Sequence, residues 1–275
     1  MKTLFNLIIS LLFLTALLLN PPIHSQKSPT IKMDLKKTRD KIIEYIQKNK
    51  FRFRVEDLIL LDYLQRRFSL SEEFSFKKTF TRYPDSQDIK SLEIYGRLVN
   101  YKGIKWKKPK QAESFIWLEL QALFIEKQEE CPDKNTLIMQ LKRQSEEGGY
   151  ASTHSALALG WFIEQKCLSP DDKDVQQAIN DITRHLYSIA TPLLFPSDLK
   201  VEALAFICYL GRKNLININE ISHLFSFQRD DGSFSGTSVP EDGLNVHTTL
   251  LILWLALEFL NETTFFSEPM IPSKK

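Results

Sequence analysis

Glycine is scarce in this chain, with 9 among 275 residues, and they are spread thinly. Tight turns and strand boundaries are correspondingly few, while leucine, isoleucine, glutamate, lysine and glutamine fill the long stretches between them. An all-α fold follows. An excess of charge of one sign is also lacking, since 36 Lys and Arg face 34 Asp and Glu. No long-range field draws a charged partner, and no nucleic acid is expected. The one basic run, "YKGIKWKKPK" from Tyr101 to Lys110, reads as a solvated loop. Cysteine is limited to Cys131, Cys167 and Cys208 with no C-x-x-C pair, which excludes the commonest thiolate zinc sites. A glycine-rich phosphate loop, a G-x-S-x-G elbow and an H-E-x-x-H helix are all absent.

Long apolar runs are lacking too, with one exception. Lys2 precedes an uncharged, mostly apolar stretch from Leu4 to Leu19, and Pro21, Pro22 and Ser25 close it. That three-part layout is a secretory signal peptide over 1–25, too short to serve readily as a bilayer-spanning helix. Its removal leaves no membrane span and places the mature protein in the periplasm or the extracellular space. The mature chain has 36 minus 1 bases against 34 acids. In an oxidising compartment two of the three cysteines can pair. Cys131 and Cys167 each follow the end of an apolar helical stretch, so theirs is the preferred disulfide.

Beyond a polar lead-in over 26–35, apolar residues recur at three and four, the spacing of amphipathic helices. The pattern predicts five helix pairs over 36–262: 36–49 with 54–69, 87–100 with 111–128, 134–145 with 153–167, 174–191 with 198–213, and 217–227 with 246–261. The second member is usually the more apolar, as in "HSALALGWFIE" and "HTTLLILWLALEFL". A helix apolar nearly all round belongs inside, and one with a polar stripe faces water. The tail over 263–275, with Pro269 and Pro272, reads as disordered.

Two stretches repeat one pattern. "QSEEGGY" gives Gln144, Gly148 and Tyr150, and "QRDDGSF" gives Gln228, Gly232 and Phe234, at identical offsets. Further on, His154, Leu157 and Trp161 match His247, Leu250 and Trp254. From 144 to 228 is 84 residues with one further helix pair between, so the unit is about 42 residues, a helical-hairpin repeat. A structural role accounts for these corners: the outer helix stops, glycine adopts angles other residues resist, the aromatic packs the corner, and glutamine serves free backbone groups of adjoining helix ends.

These corners resemble the Q-x-x-x-G-x-W repeats of the α/α-toroid superfamily, which includes terpenoid cyclases and the β subunits of protein prenyltransferases. Tyr150 and Phe234 stand where that family has tryptophan. The resemblance implies an α/α toroid, a barrel or partial barrel of about five helical hairpins. The chemical signatures of its members are missing: no D-x-D-D acid, no D-D-x-x-D for diphosphate-bound magnesium, no Asp-x-Cys for zinc and no Cys-Gly-Glu-Gln thioester run.

In such an arrangement the inner helices begin around one mouth. His154 and His247 open two of them, and Glu113 and Glu202 lie near the starts of two others. Neutral imidazole and carboxylate suit a helix start and are the forms that bind a divalent metal such as zinc. The alternative is structural, with each histidine bonded to a loop carbonyl. Glu241 and Asp242, in the long joint "SGTSVPEDGLNV", reach for the same mouth, and Trp161 and Trp254 lie two turns below it as cavity lining or plain core. Three functions follow in order: an exported toroid that binds a ligand or protein partner at its central cavity, a metal-dependent hydrolase or lyase using His154 and His247, and a terpenoid cyclase-like enzyme.

Overall fold

A computed structural model describes residues 29–104, 114–191, 196–235, 246–261 and 269–271. The expected signal peptide, Glu113, Glu241 and Asp242 lie outside the described residues. Two compact units divide the chain at Met33, and the second, Asp34–Lys275, carries nearly all of the described structure.

The described residues form eleven α-helices and no strand. They are α1 (Pro29–Asn49), α2 (Val55–Phe68), α3 (Phe76–Thr79), α4 (Ser86–Tyr95), α5 (Trp117–Leu123), α6 (Lys134–Glu146), α7 (Gly149–Glu164), α8 (Lys173–Ala190), α9 (Asp198–Tyr209), α10 (Ile218–Phe225) and α11 (Val246–Leu260). Local chemistry sets their starts. The Asp85 carboxylate and Asp88 form a reciprocal capping box before α4. Asp133, Asp172, Ser197 and Asn217 each accept a backbone N–H in the first turn of α6, α8, α9 and α10.

Three boundaries differ from the sequence reading. The lead-in is helical from Pro29, a residue that suits the first helical turn, and Leu35 already belongs to the core at 1 % exposure. Gly96 turns the end of the second pair's first helix into a 3₁₀ segment, Gly96–Val99, and the helix expected from 111 is α-helical only from Trp117. Within the tail, residues 269–271 are described and Met270 is buried.

Burial follows the apolar patterns. In α8 the buried positions, Val175, Ala178, Ile179, Ile182, Thr183, Leu186 and Ala190, make one stripe. In α9 and α11 nearly every position is buried, and in α7 ten of sixteen. Side-by-side packing joins α6 to α7, α7 to α5, α8 and α9, α8 to α9, α9 to α11, α11 to α2 and α2 to α4.

The two glutamine corners stitch neighbouring elements. Gln144 Nε2 donates to the carbonyls of Phe115 and Ala151, at 2.7 and 3.3 Å. Gln228 Nε2 donates to those of Thr38 and Gly232, both at 3.1 Å. Each amide thus bonds two carbonyls rather than one carbonyl and one N–H, and each ties its corner to a different part of the fold. Gly148 and Gly232 have φ of 76° and 93°, in the left-handed region. A Cβ at Gly232 would also strike the Lys41 carbonyl of α1. The two aromatics part company. Phe234 is buried and packs on Phe225 with ring centroids 6.5 Å apart. Tyr150 is 45 % exposed, because α7 restarts at Gly149 and carries Tyr150 in its first turn instead of leaving it in the corner.

Candidate functional site

Helices α2, α5, α7, α9 and α11 present one face each to a cavity of about 340 Å³, joined by Tyr95 at the end of α4 and by Leu98 just beyond it. The lining is graded along the helices. Near the helix starts it is polar: Glu56, Glu119, Tyr150, His154, Asp198, Glu202 and His247. One turn deeper come Ile59, Leu60, Leu157 and Leu251, and deeper again Trp161, Phe206 and Trp254. The grading follows from helix geometry, since offsets of four and seven return to the same face. Trp161 and Trp254 are both buried, and the Trp254 indole donates to Glu258 Oε1 at 3.1 Å.

Two clusters form the polar end. In the first, His154 Nδ1 lies 2.6 Å from Glu119 Oε1, and the ring packs against Phe115 with centroids 5.1 Å apart. In the second, ligand atoms of Asp198, Glu202 and His247 all lie within 4.8 Å of one another. His247 Nε2 is 3.9 Å from Glu202 Oε2, and its Nδ1 is 3.6 Å from Asp57 Oδ1. Asp198 accepts from the Thr248 hydroxyl at 2.7 Å and from the Tyr150 hydroxyl at 3.2 Å. Burial, and after it the Asp198 charge, pushes the Tyr150 phenol up to about 12, so it remains a donor.

Of the sequence candidates, the structure brings His247 and Glu202 together, with Trp161 and Trp254 below. His154 shares their cavity and pairs with Glu119, while Glu113 lies outside the described residues. Sequence reasoning missed Asp57, Glu119 and Asp198. The available signals were a lone acid inside the apolar run "WLELQALFIE" for Glu119, and first-turn acids at two apolar helices for Asp57 and Asp198.

At the far end, the tail closes on the cavity. The Glu164 carboxylate accepts the backbone N–H groups of Met270 and Ile271, each at 3.0 Å, and the Tyr209 hydroxyl at 2.5 Å. Arg66 donates to the carbonyls of Pro269 and Met270 at 2.9 and 3.2 Å. Met270 thereby becomes part of the cavity wall.

Burial favours neutral imidazoles, but at His154 the hydrogen bond and charge of Glu119 outweigh it and hold the pKa above its ordinary value. At His247, burial is likewise outweighed by Asp57 and Glu202, with Asp198 adding to them. Burial pushes the Glu119 carboxyl up against the pull of His154. A histidine whose folded pKa lies above the unfolded value of about 6.5 contributes stability that is whole below that pH and is lost as pH rises through the folded pKa. The melting temperature is therefore expected to be lower at about pH 8.5 than at about pH 6, with a smaller difference in His154→Gln. His247 is 48 % exposed at its side chain, so solvent screens its share. A wild-type melting temperature that is flat or rising over this window would contradict the assignment.

Comparison of the chain with protein-family models, with curated proteins and with solved structures returns no match.

Proposed function

We propose that this chain is an exported α/α-toroid protein that binds a ligand or partner within its central cavity. The observation that carries this reading is the graded cavity itself, with an aromatic depth and a carboxylate and imidazole end. Pockets that bind small molecules are concave, mostly apolar and furnished with a few convergent polar groups, and 340 Å³ lies at the small end of their range. The toroid arrangement draws support from the alternation of striped helices with mostly buried ones, from the packing of α11 on α2, and from Gln228 tying the last corner back to Thr38. Export draws support from the signal-peptide layout over 1–25 and from the Cys131–Cys167 disulfide. No helix among the described residues is long and apolar enough to cross a membrane.

The test is titration with a neutral, environment-sensitive apolar dye, set against Leu157→Trp, which fills the cavity from its own wall. Saturable binding to wild type at one site, lost in a variant with unchanged circular dichroism, is the expected result. Equal binding by both proteins would place the dye elsewhere and remove the reading.

A second reading rests on a separate observation, the convergence of Asp198, Glu202 and His247. Two carboxylates and one imidazole are a donor set for a divalent cation such as zinc, which would supply a polarised water for hydrolase or lyase chemistry. A stoichiometric metal after equilibration with zinc, lost in folded His247→Ala, would support it. No uptake by wild type would end it.

A further inference from the structure

We infer that the cavity takes a cationic amphiphile: a molecule with a protonated amine or quaternary ammonium head, an apolar body, and an acceptor oxygen within that body. The inference rests on the ligand-binding reading above and specifies its chemistry.

The head group follows from what lines the mouth. Glu56, Glu119, Asp198 and Glu202 all face the cavity, Asp57 stands behind His247, and no lysine or arginine appears among the described lining residues. The basic groups among the described lining residues are two imidazoles, and each already lies against a carboxylate. Even with both imidazoles charged, carboxylates outnumber them. A carboxylate, sulfate or phosphate head would enter a low-dielectric space facing charges of its own sign, whereas an ammonium would find its counter-ions in place. The body follows from the depth, where Phe206, Trp254, Leu251 and Leu157 offer apolar and aromatic surface that also suits a cation passing over ring faces.

The acceptor follows from a different observation. Trp161 lines the same cavity at 1 % exposure, and its indole N–H has no acceptor among the described residues. Buried donors are ordinarily satisfied; this one is closed to water as the wall stands, so a ligand oxygen meets it when the indole turns toward the cavity that the side chain already lines. Trp254, the matching residue of the other repeat, spends its N–H on Glu258, so the two indoles differ in what they have left to offer. His154 to Trp161 is seven residues of one helix, so head and acceptor sites are separated by about 10 Å.

The experiment uses the mature protein, treated with chelator and dialysed, and isothermal titration with octylammonium, octanol and octyl sulfate. Methyl 8-aminooctanoate adds an ester oxygen spaced to reach Trp161. Octylammonium is expected to bind at least about ten-fold more tightly than octyl sulfate, and Glu202→Gln to reduce that preference. The amino ester is expected to exceed octylammonium in wild type and to lose its advantage in Trp161→Phe, which keeps the ring and removes the donor. Octanol binding with no preference for the ammonium overturns the inference and leaves cavity binding intact. Binding of octyl sulfate only after zinc is restored assigns the head site to a metal and also overturns it. An ester advantage that survives in Trp161→Phe overturns the acceptor assignment. Failure of every compound, octanol included, removes the ligand-binding reading underneath.

Discussion

Breaking the Cys131–Cys167 disulfide is expected to cost about 4 kcal/mol of folding stability, a figure set by the chain entropy of the loop it closes. The bonded cysteines are 36 positions apart, and the loop between them contains all of α6 and α7 with the Gln144 corner. The bond therefore staples one hairpin, and that hairpin carries Tyr150, His154, Leu157 and Trp161 of the cavity wall. Gln128 Nε2 donates to the Lys166 carbonyl at 2.8 Å beside it, and Lys166 itself sits at a φ of 63°, a conformation that needs support from its surroundings. The remaining thiol, Cys208, is buried and held well above its ordinary pKa by burial, so it is a poor nucleophile for exchange. Urea unfolding of wild type against Cys131→Ser/Cys167→Ser measures the effect. A loss below about 1 kcal/mol would mean that the unfolded chain is not restrained by the bond, and would detach the disulfide from the argument for export.

Much of the helical architecture was legible because hydrophobic periodicity survives any small error in boundaries. The five pairs predicted from spacing all have counterparts, and the two glutamines do lie at equivalent corners. The site was legible in part, for a reason that concerns boundaries directly. The apolar spacing starts a helix at 111 and so puts Glu113 in its first turn, a residue outside the described ones. The described α-helix begins at Trp117, and the acid in its first turn is Glu119. Boundary errors of a few residues are enough to change which carboxylate a sequence reading assigns to a helix start. His247 Nε2 and Glu202 Oε2 lie 3.9 Å apart, on helices that start close to where the pattern puts them. Tyr150 went to the wall of the cavity because the second glycine of "EGGY" restarts the helix one residue before it, a detail that the matched Gly-x-aromatic spacing conceals. The docking of 269–271 was invisible for another reason. It rests on backbone hydrogen bonds to Arg66 and Glu164, and those leave no periodic trace in the tail's own sequence.

Removing one member of the buried Arg67–Glu258 pair is expected to be among the most damaging single changes in the protein. Arg67 Nη2 lies 2.7 Å from Glu258 Oε1, its Nε donates to the same oxygen at 2.9 Å, and both side chains are 2 % exposed. The pair joins the last turn of α2 to the last turn of α11, the two helices whose packing the proposed ring closure requires. Glu258 Oε1 also accepts the Trp254 indole, so the carboxylate holds in place a residue of the cavity wall. Desolvating two charges offsets much of their attraction, which makes the intact pair a modest net contributor. Taking Arg67 away strips the buried Glu258 carboxylate of this counter-charge. Arg67→Met is therefore expected to destabilise by about 3–5 kcal/mol, while Arg67→Met/Glu258→Gln, which removes both charges and keeps an acceptor for Trp254, recovers most of the loss. The non-additivity is the diagnostic quantity, because a double variant as unstable as the sum of its singles would show that the two sites act independently. Denaturant midpoints supply the stabilities, and tryptophan fluorescence reports whether Trp254 keeps its surroundings. A single variant within about 1 kcal/mol of wild type would mean that water reaches this pair, and that the contact of α2 with α11 is looser than a closed ring of hairpins demands.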